Sequence, residues 1–240
     1  WQVGAGSSYN PLDISNNALR GGASLRKPPG MSQFAYVGSD YRKNIFVNLS
    51  NFNAWGFENT VRLHDFGLVL RLQPLDAMNV GVNAGYTRFW RRQDQWVTQT
   101  SFGNETRTIV SGVTQNTLRF TFRLTYNITP DLTVQYYGQP FITRPEYRDF
   151  AYVLDLLHKE FGRRFHRYTD EEIRFENGKY LIDENNDGTV DYSFRKPDFN
   201  FVQFRSNLVV RWEYVPGSEV FLVWSQANTP DAFGYLERPL

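Results

Sequence analysis

The feature that most constrains the fold is a run of strict alternation, "TLRFTFRLTYNI", at residues 117–128. Every second position is apolar, and the positions between them carry Thr, Arg or Asn. Successive side chains of a β-strand point to opposite faces, so this period of two predicts a strand with one apolar and one polar face. Ordinary strands average about 5–6 residues, whereas a membrane-spanning strand needs about 9–11. The length of the run favours a membrane strand.

Similar alternation recurs along the chain and predicts an all-β protein. We expect strands at residues 1–9, 31–38, 43–56, 60–73, 78–92, 106–128, 132–144, 200–214 and 219–228. Short turns rich in Pro, Gly, Asp or Ser are expected at residues 37–43, 73–78, 128–131 and 215–218. Long connections are expected at residues 10–30, around 57–59, and at 91–108 and 145–199.

Tight turns at one end of a meander and long loops at the other are typical of bacterial outer-membrane barrels. We therefore predict that residues 1–240 form part of an antiparallel, up-and-down transmembrane β-barrel, with residues 145–199 as a long extracellular insertion. Single-chain bacterial barrels usually have an even number of strands, so nine strands imply that further strands lie outside this sequence.

Composition excludes several other classes. The 26 basic and 25 acidic residues give a net charge of +1, which argues against a nucleic-acid partner. The chain has no cysteine, which excludes disulfides and thiolate chemistry. No run approaches 18 consecutive apolar residues, as a membrane helix would require.

The two faces of the strands carry different predicted roles. An arginine on the lipid face near the bilayer midplane costs about 2–4 kcal/mol, so the charged rows are expected to face the lumen. The predicted lumen-facing residues are Arg119, Arg123, Arg211 and Glu213. The predicted lipid-facing or interfacial residues are Leu118, Phe120, Phe122, Leu124, Tyr126, Trp212, Tyr214 and Trp224. The alternative is a soluble β-sandwich or open barrel, in which the apolar rows pack inward as a core.

The segment "DENNDGTVD" resembles the start of a calcium loop. Its candidate ligands are Asp183, Asn185, Asp187, Thr189 through its backbone carbonyl, and Asp191. The EF-hand pattern fails at its twelfth position, where Phe194 replaces glutamate. Calcium is the one cofactor that the sequence suggests, and a hairpin turn rich in Asn, Asp and Gly is the alternative.

Residues 147–168 contain the only helix-like pattern, with Phe150, Val153, Leu156, Leu157 and Phe161 at helical spacing. We expect a short loop helix there, either packed on the rim of the barrel or acting as a lid or docking element.

No catalytic motif is found, and we expect no enzymatic activity. The carboxylate pairs Asp155 and Glu160, or Glu171 and Glu172, offer the only route to a hydrolase site in the long loop. The three histidines, His64, His158 and His166, lack the spacing of a zinc pair.

The chain also resembles a known family in four segments: "DFNFVQFRSNLVVRWEYVPGSEVFLVWSQ", "LRGGASL", "SDYRK" and "LTVQYYGQPFI". It is similar to the carboxy-terminal barrel, of uncharacterised function, of Gram-negative outer-membrane proteins. In that family an amino-terminal module similar to family 9 carbohydrate-binding domains precedes the barrel.

The resemblance implies an outer-membrane protein whose binding module lies before Trp1 and whose closing strands lie outside the sequence. Such a protein would be a pore, a scaffold or a surface-assembly subunit linked to glycan capture or transport. Its expected partners are the lipid bilayer, other outer-membrane or surface proteins, and glycans bound by the missing module. A soluble, secreted carbohydrate-binding or carbohydrate-active β domain is the alternative.

Overall fold

The structure is a computed structural model that describes residues 1–20 and 24–229. Nine long strands form its main sheet. They are β1 (Gln2–Asn10), β4 (Gly30–Gly38), β5 (Ile45–Gly56), β6 (Val61–Leu75), β7 (Met78–Arg92), β9 (Glu105–Thr129), β10 (Leu132–Val153), β15 (Phe201–Val215) and β16 (Ser218–Asn228). Each corresponds to one of the nine predicted strands, so the all-β prediction is confirmed.

The nine strands lie in the sheet in the order of the chain, and every neighbouring pair is antiparallel. Residues 39–44, 76–77, 130–131 and 216–217 connect strands at one end, which we call the turn end. The other four connections lie at the opposite, loop end. One prediction was wrong here, because the connection at residues 57–60 is short and contains a 3-10 helix, Phe57–Asn59.

β1 and β16 are the two edges of this sheet, and each pairs with a neighbour on one side only. The described strands therefore form an open sheet and not a closed barrel. Both edge strands run from the turn end to the loop end, so joining them directly would require a parallel pair.

Shorter strands build the loop end. They are β2 (Asp13–Ser15), β3 (Leu25–Lys27), β8 (Gln95–Phe102), β11 (Phe165–Arg167), β12 (Ile173–Glu176), β13 (Lys179–Ile182) and β14 (Tyr192–Arg195). β2 pairs with β3, β8 extends the sheet beside β9, and β11 pairs with β10. β12, β13 and β14 form a separate three-stranded sheet. We call these strands and their connections the cap.

The predicted loop helix is absent from the described residues, where only a 3-10 helix, Phe161–Arg164, interrupts this segment. Instead, β10 continues through Val153, so the long connection begins at residue 154 and not at 145. A register shift between Arg148 and Ala151 includes Asp149, whose φ is 53°. Because the extension of β9 and β10 buries side chains on both faces, its apolar residues do not alternate, and their spacing imitates a helix.

The hydrophobic core is confined to the cap and to the ends of β9 and β10 that pack against it. One cluster contains Leu19, Leu25, Val110, Ala151, Phe161 and Phe165, and the other contains Ile109, Phe150, Tyr152, Ile182, Tyr192 and Phe194. The register pairs Ile109 with Tyr152 and Val110 with Ala151, so the clusters cover opposite faces of the extended β9–β10 hairpin. Apart from Leu63 and Val113, these clusters include every buried hydrophobic side chain of the described residues.

Candidate functional site: the two faces of the sheet and its cap

The predicted lipid-facing side chains share one face of the sheet. On β9 these are Leu118, Phe120, Phe122, Leu124 and Tyr126, and the register aligns this row with apolar rows on both neighbouring strands. Leu124 lies opposite Tyr136, which lies opposite Leu208, which lies opposite Trp224. By the same alternation Trp212 and Tyr214 lie on this face at the turn end. We call this surface the apolar face.

Large apolar side chains on this face are open to the surroundings. Leu118 is 46% exposed, Trp212 53% and Trp224 67%. Phe120, Phe122 and Leu124 are half-buried by their neighbours within the sheet. Among the described residues no second protein layer covers them, as the confinement of the core to the cap shows. In the part of the chain that the structure describes, no second sheet packs over these side chains, as a β-sandwich would require.

The predicted lumen-facing residues lie on the opposite face, the polar face. Arg119 on β9 donates a hydrogen bond from Nη2 to Oδ2 of Asp65 on β6, at 2.6 Å, passing over β7. Thr87 on β7 also donates to Asp65. The guanidinium of Arg123 lies 5.4 Å from the ring centroid of Tyr137. The sequence indicated the cations of this face but not their partners.

Arg211 and Glu213 also lie on the polar face, near the turn end. Arg211 Nη2 and Glu213 Oε2 are 3.8 Å apart. The nearer partner is Glu219 on β16, whose Oε1 accepts a hydrogen bond from Arg211 Nε at 3.0 Å. Glu213 instead accepts a hydrogen bond from the amide of Gly217 at 2.9 Å, which closes the β15–β16 turn.

The five candidate calcium ligands lie in one compact loop between β13 and β14. Both carboxylate oxygens of Asp183 accept backbone hydrogen bonds, from Asp187 at 3.1 Å and from Gly188 at 2.8 Å. The amide of Thr189 donates to Asp187 at 2.8 Å and lowers the pKa of that carboxyl.

Asn185 and Asp191 complete this loop. Asn185 Oδ1 accepts a hydrogen bond from the amide of Asp187, and Asp191 Oδ2 accepts one from the amide of Glu184. Within the described ranges no group of three or more His, Cys, Asp or Glu side chains is close enough to hold a metal ion. A calcium site here would depend on Asn185 and on the Thr189 carbonyl, and calcium binding stays a prediction.

A buried charged network joins this loop to the sheet. Arg107 on β9 donates to Glu184, with Nη2 2.8 Å from Oε1, and the hydroxyl of Tyr192 donates to Glu184 Oε2 at 2.5 Å. Burial raises the pKa of Glu184, but the hydrogen bonds from Arg107 and Tyr192 outweigh it, and the net shift is downward. Burial, together with the bond to Glu184, raises the pKa of Tyr192. The network therefore connects the loop between β13 and β14 to β9 of the main sheet.

Three of the four carboxylates in the candidate pairs accept hydrogen bonds or form an ion pair with neighbouring residues. Glu172 is buried and accepts hydrogen bonds from the amide of Thr169 at 2.7 Å and from the ring of His166 at 2.8 Å, whereas Glu171 is exposed. In the other pair, Asp155 accepts a bond from the amide of Leu157, and Glu160 forms an ion pair with Arg163.

A polar cavity of about 520 Å³ lies where the cap meets the sheet. Its charged lining residues are Arg20, Lys27, Arg92 and Asp94. Lys27 donates to Asp94 at 2.9 Å, while the guanidinium of Arg20 lies 4.6 Å from the ring centroid of Trp96. Burial raises the pKa of Asp94, although Lys27 opposes that shift. Sequence reasoning did not find this cavity, because residues from four distant segments line it.

Together these features define a class of protein, namely an antiparallel meander with one apolar face, one polar face and a folded cap at one end. No helix among the described residues is long and apolar enough to span a membrane. The profile of a family described as "Domain of unknown function (DUF5916)" matches residues 2–233, so the chain belongs to that family. No curated protein and no solved structure matches the chain.

Proposed function

We propose that this chain forms nine strands in the wall of an outer-membrane β-barrel, with the apolar face toward lipid and the polar face toward the lumen. The assembled protein acts as a pore, a scaffold or a surface-assembly subunit linked to glycan capture or transport. A binding module elsewhere in the protein would supply the glycan contact.

One observation carries this proposal. Apolar side chains dominate this face from β6 to β16, with Asn51 and Asn53 interrupting it on β5, and no protein layer among the described residues covers it. Exposed apolar patches of this extent mark a membrane or protein contact, because monomeric soluble proteins seldom expose them. Away from the loop-end border of the sheet, the positions of the arginines of β9 agree with lipid on that side, since Arg119 and Arg123 lie on the other face.

The arrangement of connections and aromatic residues also supports the proposal. Every connection at the turn end is short, and the folded cap lies at the other end, where only the connection at residues 57–60 is equally short among the described residues. Short periplasmic turns and longer extracellular loops are typical of bacterial barrels. Trp212 and Tyr214 lie on the apolar face at the turn end, and Trp90 lies toward the loop end. Aromatic side chains at both ends of an apolar band are typical of membrane interfaces.

The two open edges are consistent with a barrel that needs more strands. Unpaired edge strands invite aggregation unless another strand covers them. β1 and β16 each leave one edge free among the described residues, and additional strands of the same protein would pair with both.

Cysteine labelling tests the orientation directly, because the chain has no cysteine of its own. Phe122→Cys lies on the apolar face and Thr121→Cys on the polar face of the same strand. In outer membranes, we expect a water-soluble maleimide to label Thr121→Cys and a lipid-soluble reagent to label Phe122→Cys. Equal aqueous labelling of both, or a full-length protein that is monomeric and soluble without detergent, would refute the proposal in favour of a soluble β domain.

A further inference from the structure

A cluster of cations lies on the apolar face at its loop-end border. In the register of β6 and β7, His64 is opposite Arg88, and the next row on the same face places Arg62 opposite Arg91. A bulge beside this row inserts Trp90. The guanidinium carbon of Arg88 lies 3.4 Å from the ring centroid of Trp90.

These arginines have no acidic partner in the part of the chain that the structure describes. None of its ion pairs includes Arg62, Arg88 or Arg91. Nε of Arg88 is buried and has no hydrogen-bond partner among the described residues. Like charges directly opposite in a sheet are destabilising, so the Arg62–Arg91 pair favours a bound anion.

An apolar groove of about 580 Å³ begins directly beside this cluster. Phe66 and Tyr86, which lie opposite each other, line the part of the groove nearest the loop end. Its other lining residues include Leu49, Leu68, Ala84 and Leu118. The Phe66–Tyr86 row is adjacent to the His64–Arg88 row on the same face, about 7 Å away. The arginine cluster and the apolar groove therefore lie side by side on one face of the sheet.

We propose that this surface binds one lipid with a phosphate-bearing headgroup, whose phosphate contacts Arg62, Arg88 and Arg91 and whose acyl chain lies in the groove. The inference rests on the proposed membrane orientation. A free phosphate would leave the groove unused, and a neutral lipid would leave the arginines uncompensated. Only a lipid with an anionic headgroup and an acyl chain compensates the arginines and also fills the groove.

The test uses the full-length protein in detergent micelles, titrated separately with lipid A and with inorganic phosphate. One variant combines Arg62→Gln, Arg88→Gln and Arg91→Gln. Its control combines Arg123→Gln, Arg195→Gln and Arg205→Gln, which removes the same charge away from this surface. A second variant, Ala84→Phe, fills the groove, and its control is Val134→Phe on the same face but outside the groove.

We expect the triple arginine variant to bind lipid A at least about tenfold more weakly, since it removes the three cations that attract the anionic headgroup. Ala84→Phe should weaken lipid A binding without changing phosphate binding, and neither control should differ from the parent.

Unchanged lipid A binding in both test variants would overturn the lipid site. Phosphate that binds as tightly as lipid A, with no effect of Ala84→Phe, would show a free-phosphate site and would also overturn it. Detergent dependence, measured on the same preparations, reports separately on the membrane orientation.

Discussion

Arg119 reaches Asp65 across an intervening strand because Gly85 lies beneath its side chain. Gly85 is the register partner of Arg119 on β7, and a Cβ added there would lie 3.0 Å from Arg119 Nε. The absence of a side chain on β7 therefore opens the path between β9 and β6. Small residues on the polar face allow long charged side chains to connect strands that are not adjacent.

Gly85→Val should destabilise the sheet by about 1 kcal/mol or more, because the new side chain displaces Arg119 from Asp65. Gly81→Val is the matched control on the same face, since its Cβ would meet only Cβ of Arg123, at 3.9 Å. Denaturant unfolding in a lipid or detergent environment measures both. Equal losses in the two variants would show that the Arg119–Asp65 contact is not the reason for Gly85.

Leu124→Arg should destabilise the membrane-inserted protein by about 2–4 kcal/mol if it lies near the bilayer midplane. Thr125→Arg is the control, because it places the same side chain on the polar face of the same strand. Unfolding from lipid bilayers measures the difference. A larger loss for Thr125→Arg than for Leu124→Arg would contradict the proposed orientation.

The Arg107–Glu184 network predicts an acid-sensitive cap. The folded-state pKa of Glu184 is lowered, so its contribution to stability is present above the ordinary glutamate pKa of about 4.3 and is lost as pH falls through the folded-state value. Glu184→Gln should cost about 2 kcal/mol at neutral pH, since it removes the buried carboxylate partner of Arg107 and leaves only the exposed Glu105.

Hydrogen exchange at the amides of Ile182 and Tyr192 reports on the cap. Protection at these amides, relative to their intrinsic exchange rate at each pH, should fall below about pH 4 in the parent protein. Glu184→Gln should show reduced protection already at neutral pH, with less change on acidification. Glu176→Gln, on an exposed part of β12, is the control. Identical pH profiles in the parent and Glu184→Gln would show that another group controls the transition.

Calcium should bind the loop between β13 and β14 with an affinity in the range of about 10⁻⁴–10⁻³ M, as in extracellular modules with incomplete ligand sets. Terbium luminescence, excited through nearby tyrosines and displaced by calcium, measures it. Asp183→Asn and Asp187→Asn should each weaken binding, whereas Asp170→Asn should not. Luminescence that is equal in all four proteins would establish the hairpin-turn alternative.

The sequence predicted the nine strands and their faces, because period-two alternation is a local property that each strand carries by itself. In β9 the alternation from Leu118 to Tyr126 assigns each side chain to one of two faces without any information from neighbouring strands. The turns were equally readable, since Pro, Gly and Asp act within a few residues. The prediction failed at residues 147–153, where burial on both faces removed the alternation.

Tertiary structure alone decided which side chains meet. Asp65 and Arg119 are 54 residues apart, and Arg107 and Glu184 are 77 apart, so no local pattern joins them. The opposition of Arg62 and Arg91, and the groove beside them, depend on strand register and on a bulge. Register is set by pairing between strands, and for that reason the alternation fixes the face of each residue but not its neighbours.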